Sequence, residues 1–319
     1  MTQEKNRTEY LPGEWHNKRY YSLDAWLKNT FGHKLKKISI DAGFTCPNRD
    51  GTLDTRGCIF CSEGGSGDFA LPPSSIHAAE PYIAYFQAYT CTYGPLDKLE
   101  KLYEEALLDP LAAGISIATR PDCLDENVIS LLSALALRYP EKFIWIELGL
   151  QTIHEKTALY IRRGYPLSCF EHAVSSLNAA GIPVIVHVIL GLPGEDEDMM
   201  LATIRYLNGF SLSGIKLQLL HVLRGTDLEK DYQAGLFPVL SMDEYLHILI
   251  HCIEMLDPSI VIHRVTGDGP RELLVAPLWS ADKKKVLNTL HHLMKLNHSC
   301  QGKLWKGSMA HGAGISYSL

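Results

Sequence analysis

Short apolar runs alternate with amphipathic stretches along most of the chain. The runs span residues 37–43, 82–90, 114–120, 143–151, 183–190 and 214–222. Each is of strand length and rich in β-branched or aromatic residues. Helical patterns separate them. Leucines recur at helical spacing over 96–108, and Asp125 stands in N-cap position before 126–139. Ser168-Cys169-Phe170-Glu171 reads as a capping box opening a helix that Gly181 closes. Residues 196–210 follow a Gly-Leu-Pro-Gly turn. Ser241-Met242-Asp243-Glu244 is a second capping box, for a helix to about Leu256. Residues 260–265 read as a seventh strand and 281–296 as a late helix. Ahead of all of these, Ser22 caps a short helix with Trp26, Leu27 and Phe31 on its apolar face.

Strand–helix repetition of this kind produces parallel strands joined by crossover helices, hence an α/β fold. Six repeats suit a partial barrel or a doubly wound sheet, and both place the chemistry at the carboxyl ends of the strands. With 319 residues, the chain accommodates one large domain with extensions. The expected organisation is an N-terminal extension over 1–36, a barrel over 37–270 and a basic C-terminal extension over 271–319. No low-complexity linker or short repeat divides it.

The formal net charge of −6 argues against a general nucleic-acid binder. Its distribution says more. From Lys283 to Leu319 there are six lysines and no Asp or Glu, and near the start Lys18, Arg19, Lys28, Lys34, Lys36 and Lys37 face only Asp24. If the two ends meet, they form one phosphate-binding face; otherwise these are ordinary solvated lysines. No apolar run reaches the length of a membrane span, and the polar first residues lack a signal-peptide core. A cytoplasmic location is the expectation.

Of the eight cysteines, Cys46, Cys58 and Cys61 cluster with spacing C-x11-C-x2-C directly after the first strand. Cys91, Cys123, Cys169, Cys252 and Cys300 are scattered. Three thiolates on one loop can ligate three irons of a [4Fe–4S] cluster and leave the fourth open to a second molecule. The competing chemistry is zinc, which needs a fourth ligand; His33 and His77 are nearest in sequence. The position at the carboxyl end of a strand favours an active site.

Cys46-Pro47, a loop, then Cys58-Ile59-Phe60-Cys61 followed by Ser62-Glu63-Gly64-Gly65 resembles the cluster loop of radical S-adenosylmethionine (SAM) enzymes of the Elp3 type. The likeness runs over about 37–280 and is greatest to the bacterial YhcC/YtqA-like family. It implies a partial (β/α)6 TIM-like barrel of the radical SAM type, a [4Fe–4S] cluster on Cys46, Cys58 and Cys61, and SAM bound at the open iron. It also implies a reducing partner, flavodoxin- or ferredoxin-like. In such enzymes one electron from the cluster cleaves SAM, and the 5′-deoxyadenosyl radical abstracts hydrogen from substrate.

The remaining strand ends supply candidates. Glu147, Gly149 and Gln151 share one face by period two, which suits the ribose and amine of SAM. Thr119-Arg120-Pro121-Asp122 closes an apolar strand with a hydroxyl, a cation and a carboxylate, of which Arg120 and Asp122 are taken as substrate residues. The second strand ends in Gln87 and Thr90 where relatives often carry Gly-Gly-Glu. Phe60 is expected beside the cofactor. The resemblance assigns Arg163 to the SAM carboxylate, with Arg162 as its rival, and places Gly191 and Leu192 of Gly-Leu-Pro-Gly-Glu beside adenine. His187 interrupts an apolar strand and reads either as a hydrogen-bonded core residue or as a group facing SAM or substrate. Gln218 is assigned to the cofactor, and His221, Arg224, Arg264, Asp268 and Arg271 to the substrate side. Asp268 and His187 are the catalytic candidates besides the cysteines.

The Elp3 likeness points to tRNA wobble-uridine modification, as a step from a carboxymethylaminomethyl to an aminomethyl side chain. No acetyltransferase domain follows residue 319, so acetyl-CoA-dependent carboxymethylation in one chain is not expected, and a separate tRNA methyltransferase is expected downstream. Two alternatives stand beside this reading. One is a radical SAM oxidoreductase acting on a small molecule such as a porphyrinogen, although that family has C-x3-C-x2-C spacing. The other is a non-catalytic, zinc-stabilised binding protein.

Overall fold

The computed structural model describes residues 15–267 and 269–307. Among these the elements run α1 (Leu23–Phe31), β1 (Lys36–Ile40), β2 (Tyr82–Phe86), α2 (Leu96–Leu108), β3 (Ala112–Thr119), α3 (Glu126–Arg138), β4 (Phe143–Gln151), α4 (Glu155–Tyr160) and α5 (Leu167–Ala179). They continue with β5 (Val184–Leu190), α6 (Glu197–Leu207), β6 (Gly214–Leu219), β7 (Val222–Leu223), α7 (Asp227–Gln233), α8 (Met242–Met255), β8 (Val261–Arg264), β9 (Leu274–Ala276) and α9 (Lys283–Leu296). Seven strands form one parallel sheet in the order β1-β2-β3-β4-β5-β6-β8, and β7 pairs antiparallel with β9. These seven are the seven apolar runs of the sequence. Side chains of β1, β4 and β6 meet at one point, Lys37 and Lys216 both reaching Glu147, so the sheet curls into a partial barrel.

The first two strands end earlier than their apolar runs. Beyond Ile40 and Phe86 the backbone bonds to loops instead: Asp41 donates to Leu71 O (2.9 Å) and Thr90 to Thr45 O (3.2 Å). Of the residues beyond those ends, Gln87, Tyr89 and Thr90 line a cavity at the carboxyl ends of the strands. The Ser168 capping box is not made. Helix α5 begins at Leu167 after Pro166, and the Leu167 N–H donates to Glu155 Oε1 at 3.1 Å, so a side chain from α4 satisfies the first turn. The Ser241–Glu244 box does form. Helices α4 and α7 and the β7–β9 ribbon were not expected, being too short to leave a periodic signature.

Helix α1, capped by Ser22 as expected, closes the amino-terminal end of the barrel. Its Leu27 joins the inward-facing Ile83, Trp145 and Ile185 in one buried cluster. The Trp26 ring packs edge-on against Phe143 and Trp145, with centroids 6.1 and 5.4 Å away. The rest of the core lies between sheet and helices.

The segments near the two ends meet. Gln301 donates its N–H to Arg19 O and accepts from the Tyr21 N–H, each at 2.9 Å, and the Tyr20 ring stacks on His291. The cations near the start are less available than their number suggests. Asp24 gathers Lys18, Lys28 and Lys34, Lys36 lies 3.7 Å from Glu80, and Lys37 is inside the barrel. Among the described residues no helix is long and apolar enough to cross a membrane.

Trp26→Ala is expected to lower unfolding free energy by about 2–4 kcal/mol, read by urea denaturation, because the aromatic plug then leaves a cavity.

Candidate active site

The loop between β1 and β2 carries the three cysteines and is anchored by its own side chains. Asn48, 2 % exposed, donates through Nδ2 to Arg162 O at 2.7 Å and approaches Cys58 Sγ at 3.5 Å. Arg49 donates through Nη2 to Cys61 O and Ser62 O, at 2.9 and 2.6 Å. Gly57, at φ +78°, lets the chain pass Arg49; a Cβ there would lie 2.8 Å from Arg49 Nε. Burial pushes the Cys58 thiol up to about 12 and also raises Cys61, which Arg49 partly offsets. These thiols therefore become thiolates only when a metal displaces the proton.

All three cysteines line one cavity at the carboxyl ends of the strands, enclosing about 960 Å³ of empty space including its mouth. Of the residues expected from the sequence, Phe60, Gln87, Thr90, Thr119, Arg120, Glu147, Gln151, Arg163, His187, Gln218 and Arg264 line the same cavity. Gln151 sits at φ +68° where the β4–β5 register shifts, and its Oε1 is buried with no hydrogen-bond partner. Gln87 and Thr119 are already bonded, Gln87 to Ser39 and Ser66 and Thr119 to Thr92.

Beneath the cavity the barrel interior is charged. Glu147 is fully buried; it is paired with Lys37 and Lys216 and accepts hydrogen bonds from Ser116 Oγ and His187 Nε2, both at 2.8 Å. Lys216 Nζ also donates to the Tyr85 hydroxyl at 2.9 Å. Burial alone would raise the Glu147 carboxyl, but the two ammonium groups and His187 hold it well below its usual range. Burial and Lys216 push His187 down to about 4, so its imidazole is neutral at pH 7. His187 is hydrogen-bonded to Glu147 and also lines the cavity. Glu147, by contrast, spends its carboxylate on protein partners.

Several expected residues have other geometry. Arg163 is 2 % exposed and donates to the carbonyls of Tyr165 (3.0 Å), Leu150 (3.3 Å) and Thr152 (2.7 Å) and to Glu155 Oε1 (3.2 Å). Its guanidinium clamps the end of β4, with little left for a carboxylate ligand. Arg162 turns to Asp227, 2.7 Å away. Arg120 lies over the Tyr165 ring and grips Asp122 with two bonds, at 2.9 and 2.7 Å. Gly191 and Leu192 stand outside this cavity's lining: Gly191 packs under Leu240, and Leu192 is buried in a side cluster. Arg224 and Arg271 are exposed and apart from it, Arg271 donating to Ala281 O. His221 lines an adjoining chamber. Asp268 lies outside the described residues. Lys37, Lys216 and Arg49 were missed. Period two carried a signal for Lys216, which shares a strand face with Gln218.

The donor set suits a cluster. A tetrahedral zinc site would bring its sulfurs to about 3.8 Å from one another. Among the described residues the only three candidate ligands whose atoms lie within 4.8 Å of each other are Glu197, His247 and His251, far from these cysteines in sequence. Neither His33 nor His77 lines the cavity. Three thiols and the unpartnered amide oxygen of Gln151 face one space, as a three-ligand cluster with a bound polar cofactor requires.

The Radical SAM superfamily profile matches residues 55–207 and the Radical_SAM C-terminal domain profile matches 212–295. The uncharacterized protein YtqA of Bacillus subtilis is 42% identical over 304 residues, covering 91% of this chain and 94% of its own. A tRNA uridine(34) acetyltransferase of Methanocaldococcus jannaschii is 25% identical over 184 residues, 56% of this chain and 32% of that protein. Among solved structures, the archaeal Methanocaldococcus infernus Elp3 superposes with a TM-score of 0.61 at 17% identity, over 70% of this chain and 56% of that one, and so shares the fold.

Two outcomes test the charged floor. Glu147→Gln leaves Lys37 and Lys216 buried without their counter-charge and is expected to cost about 3–5 kcal/mol in unfolding free energy. Because His187 takes up a proton near pH 6.5 when unfolded but only near 4 when folded, stability should fall as pH drops through that window. His187→Gln should flatten this acid limb in urea unfolding measured between pH 4 and 7.

Proposed function

Because the chain belongs to the radical SAM superfamily, and within it to the YhcC/YtqA-like family, we propose that this enzyme acts on tRNA, converting a carboxymethylaminomethyl side chain on a wobble uridine to an aminomethyl one. The observation that carries the reading is the single cavity in which the three cysteines meet the strand-end polar groups. The substrate class is supported by the tRNA uridine(34) acetyltransferase among the relatives.

Cys46, Cys58 and Cys61 hold the [4Fe–4S] cluster, and the open side of the cavity takes SAM. When bound, cluster and SAM would together supply a 5′-deoxyadenosyl radical and act as a two-electron oxidant overall: SAM would leave as methionine and 5′-deoxyadenosine, and the oxidised arm, on adding water, would break its carbon–nitrogen bond to give glyoxylate and the aminomethyl group. The protein's own contribution is positional. Asn48 and Arg49 pin the cysteine loop to the 162–163 backbone and to itself. Gln151 offers its unpartnered oxygen to a SAM hydrogen-bond donor, and Thr90 and Phe60 contribute a hydroxyl and a ring to the same wall. Arg163 holds the β4 end in place, so that Gln151 keeps its strained conformation. The apolar plug below Glu147 keeps water from entering through the closed end. His187, neutral, orients on Glu147 and faces the substrate space.

Exposed Lys284, Lys285 and Lys295 on α9, next to the N-terminal segment that packs against it, offer phosphate contacts to tRNA. A flavodoxin- or ferredoxin-like protein supplies the electron, and a separate methyltransferase acts on the aminomethyl product.

Mass spectrometry of tRNA nucleosides from a deletion strain tests the reading. Accumulation of carboxymethylaminomethyluridine with loss of the aminomethyl-derived nucleosides is the expected result; an unchanged wobble-uridine profile overturns it.

A further inference from the structure

The sheet does not close: β1 and β8 are its two edges. At the level of the cysteines, a second chamber lies across that seam. One wall comes from the β1–β2 loop and the other from the end of β6 and the segment after β8. Phe60, Cys61, Ser66, Gln87, Gln218 and Arg264 belong to both this chamber and the main cavity, so the two form one continuous space.

Both walls are tightly built. On the loop side, Asp68 accepts a bifurcated bond from the Ser62 hydroxyl, at 2.8 and 3.0 Å, and Ser62 itself is 4 % exposed. A Cβ on Gly64 would lie 2.7 Å from Asp68 Oδ1, so a glycine is needed for that carboxylate to sit there. On the opposite wall, Arg264 donates to Gln218 Oε1 at 3.3 Å, and a Cβ on Gly267 would strike the His221 ring at 2.2 Å. Among the described residues lining this chamber, Asp68 is the one carboxylate and Arg264 the one guanidinium. A ligand spanning the seam thus meets a negative group on one side and a positive group on the other. The complementary ligand carries an ammonium and a carboxylate a short distance apart.

We propose that this chamber is the subsite for the substrate's side arm, Asp68 taking the secondary ammonium and Arg264 the carboxylate of a carboxymethylaminomethyl group. The inference rests on the tRNA reading above. Asp68 would select arms that carry an ammonium, and Arg264 would tell substrate from product: an aminomethyl product keeps the ammonium but loses the carboxylate that Arg264 holds, and so leaves. The methionine end of SAM has the same pair of groups, and the experiment separates the two sources.

The test uses the cluster-loaded enzyme with dithionite, SAM and tRNA purified from the deletion strain. Asp68→Asn and Arg264→Gln should each raise the KM for that tRNA about tenfold or more, with a smaller change in kcat and in the KM for SAM. Asp68→Glu should recover part of the loss. Wild-type preference for arm-bearing tRNA over tRNA with unmodified uridine, in competition, should disappear in Asp68→Asn. If the wild-type enzyme cleaves SAM but leaves this tRNA unchanged, the tRNA reading falls and the subsite with it. If the wild type turns over and both variants keep a KM for tRNA within twofold, or raise only the KM for SAM, the subsite alone is refuted.

Discussion

One buried carboxylate organises this barrel. Glu147 stands mid-strand on β4 with no exposure, a position that costs several kcal/mol unless opposite charge comes to it. Lys37 from the edge strand β1 and Lys216 from β6 supply that charge, with Ser116 and His187 completing the shell. No flat sheet in the order β1 to β8 brings those strands together, so satisfying Glu147 and curling the sheet are the same event. Below the charge lies an aromatic and aliphatic plug closed by α1; above it lies the open cavity. The interior therefore passes from apolar to ionic to hollow along the strand direction.

Arginine has a second structural part around the cysteines. Arg49 donates to two backbone carbonyls and Arg163 to three, and Asn48 ties the cysteine loop to the chain after α4. The loop is thus held by the strand-end frame rather than by packing of its own, since the segment around Gly51 and Gly57 has little apolar side chain to bury. Rigid attachment of this kind suits a site whose three thiols must present a fixed triangle to a metal cluster. The sheet is not closed between its edge strands β1 and β8, on the side of the cysteine loop.

Much of the architecture was legible before the structure. The seven apolar runs are the seven strands, because parallel strands buried on both faces are nearly continuous in hydrophobicity. The Cys46–Cys61 spacing and the common face of Glu147, Gly149 and Gln151 were likewise legible, and these residues share one cavity. Ser168 was misread because the helix starts one residue earlier, after Pro166, and Glu155, a dozen residues before it, accepts the Leu167 N–H of the first turn. Arg163 looked like a ligand-binding cation because sequence gives residue type and offset but not which carbonyls lie within reach.

What the sequence by itself determined was periodicity and local chemistry, which depend on neighbours two to four residues away. That was enough for an α/β fold, three thiols on one loop and the strand ends as the candidate site. Tertiary structure alone decided where the charges go. Lys37 was counted among the cations near the start, and Lys216, 179 positions further on, had no assigned role until the curl of the sheet set both on Glu147. Most cations near the start proved to be absorbed by Asp24, Glu80 and Glu147. Coulomb interactions act through space, and which groups are close in space is fixed only when the sheet has closed upon itself.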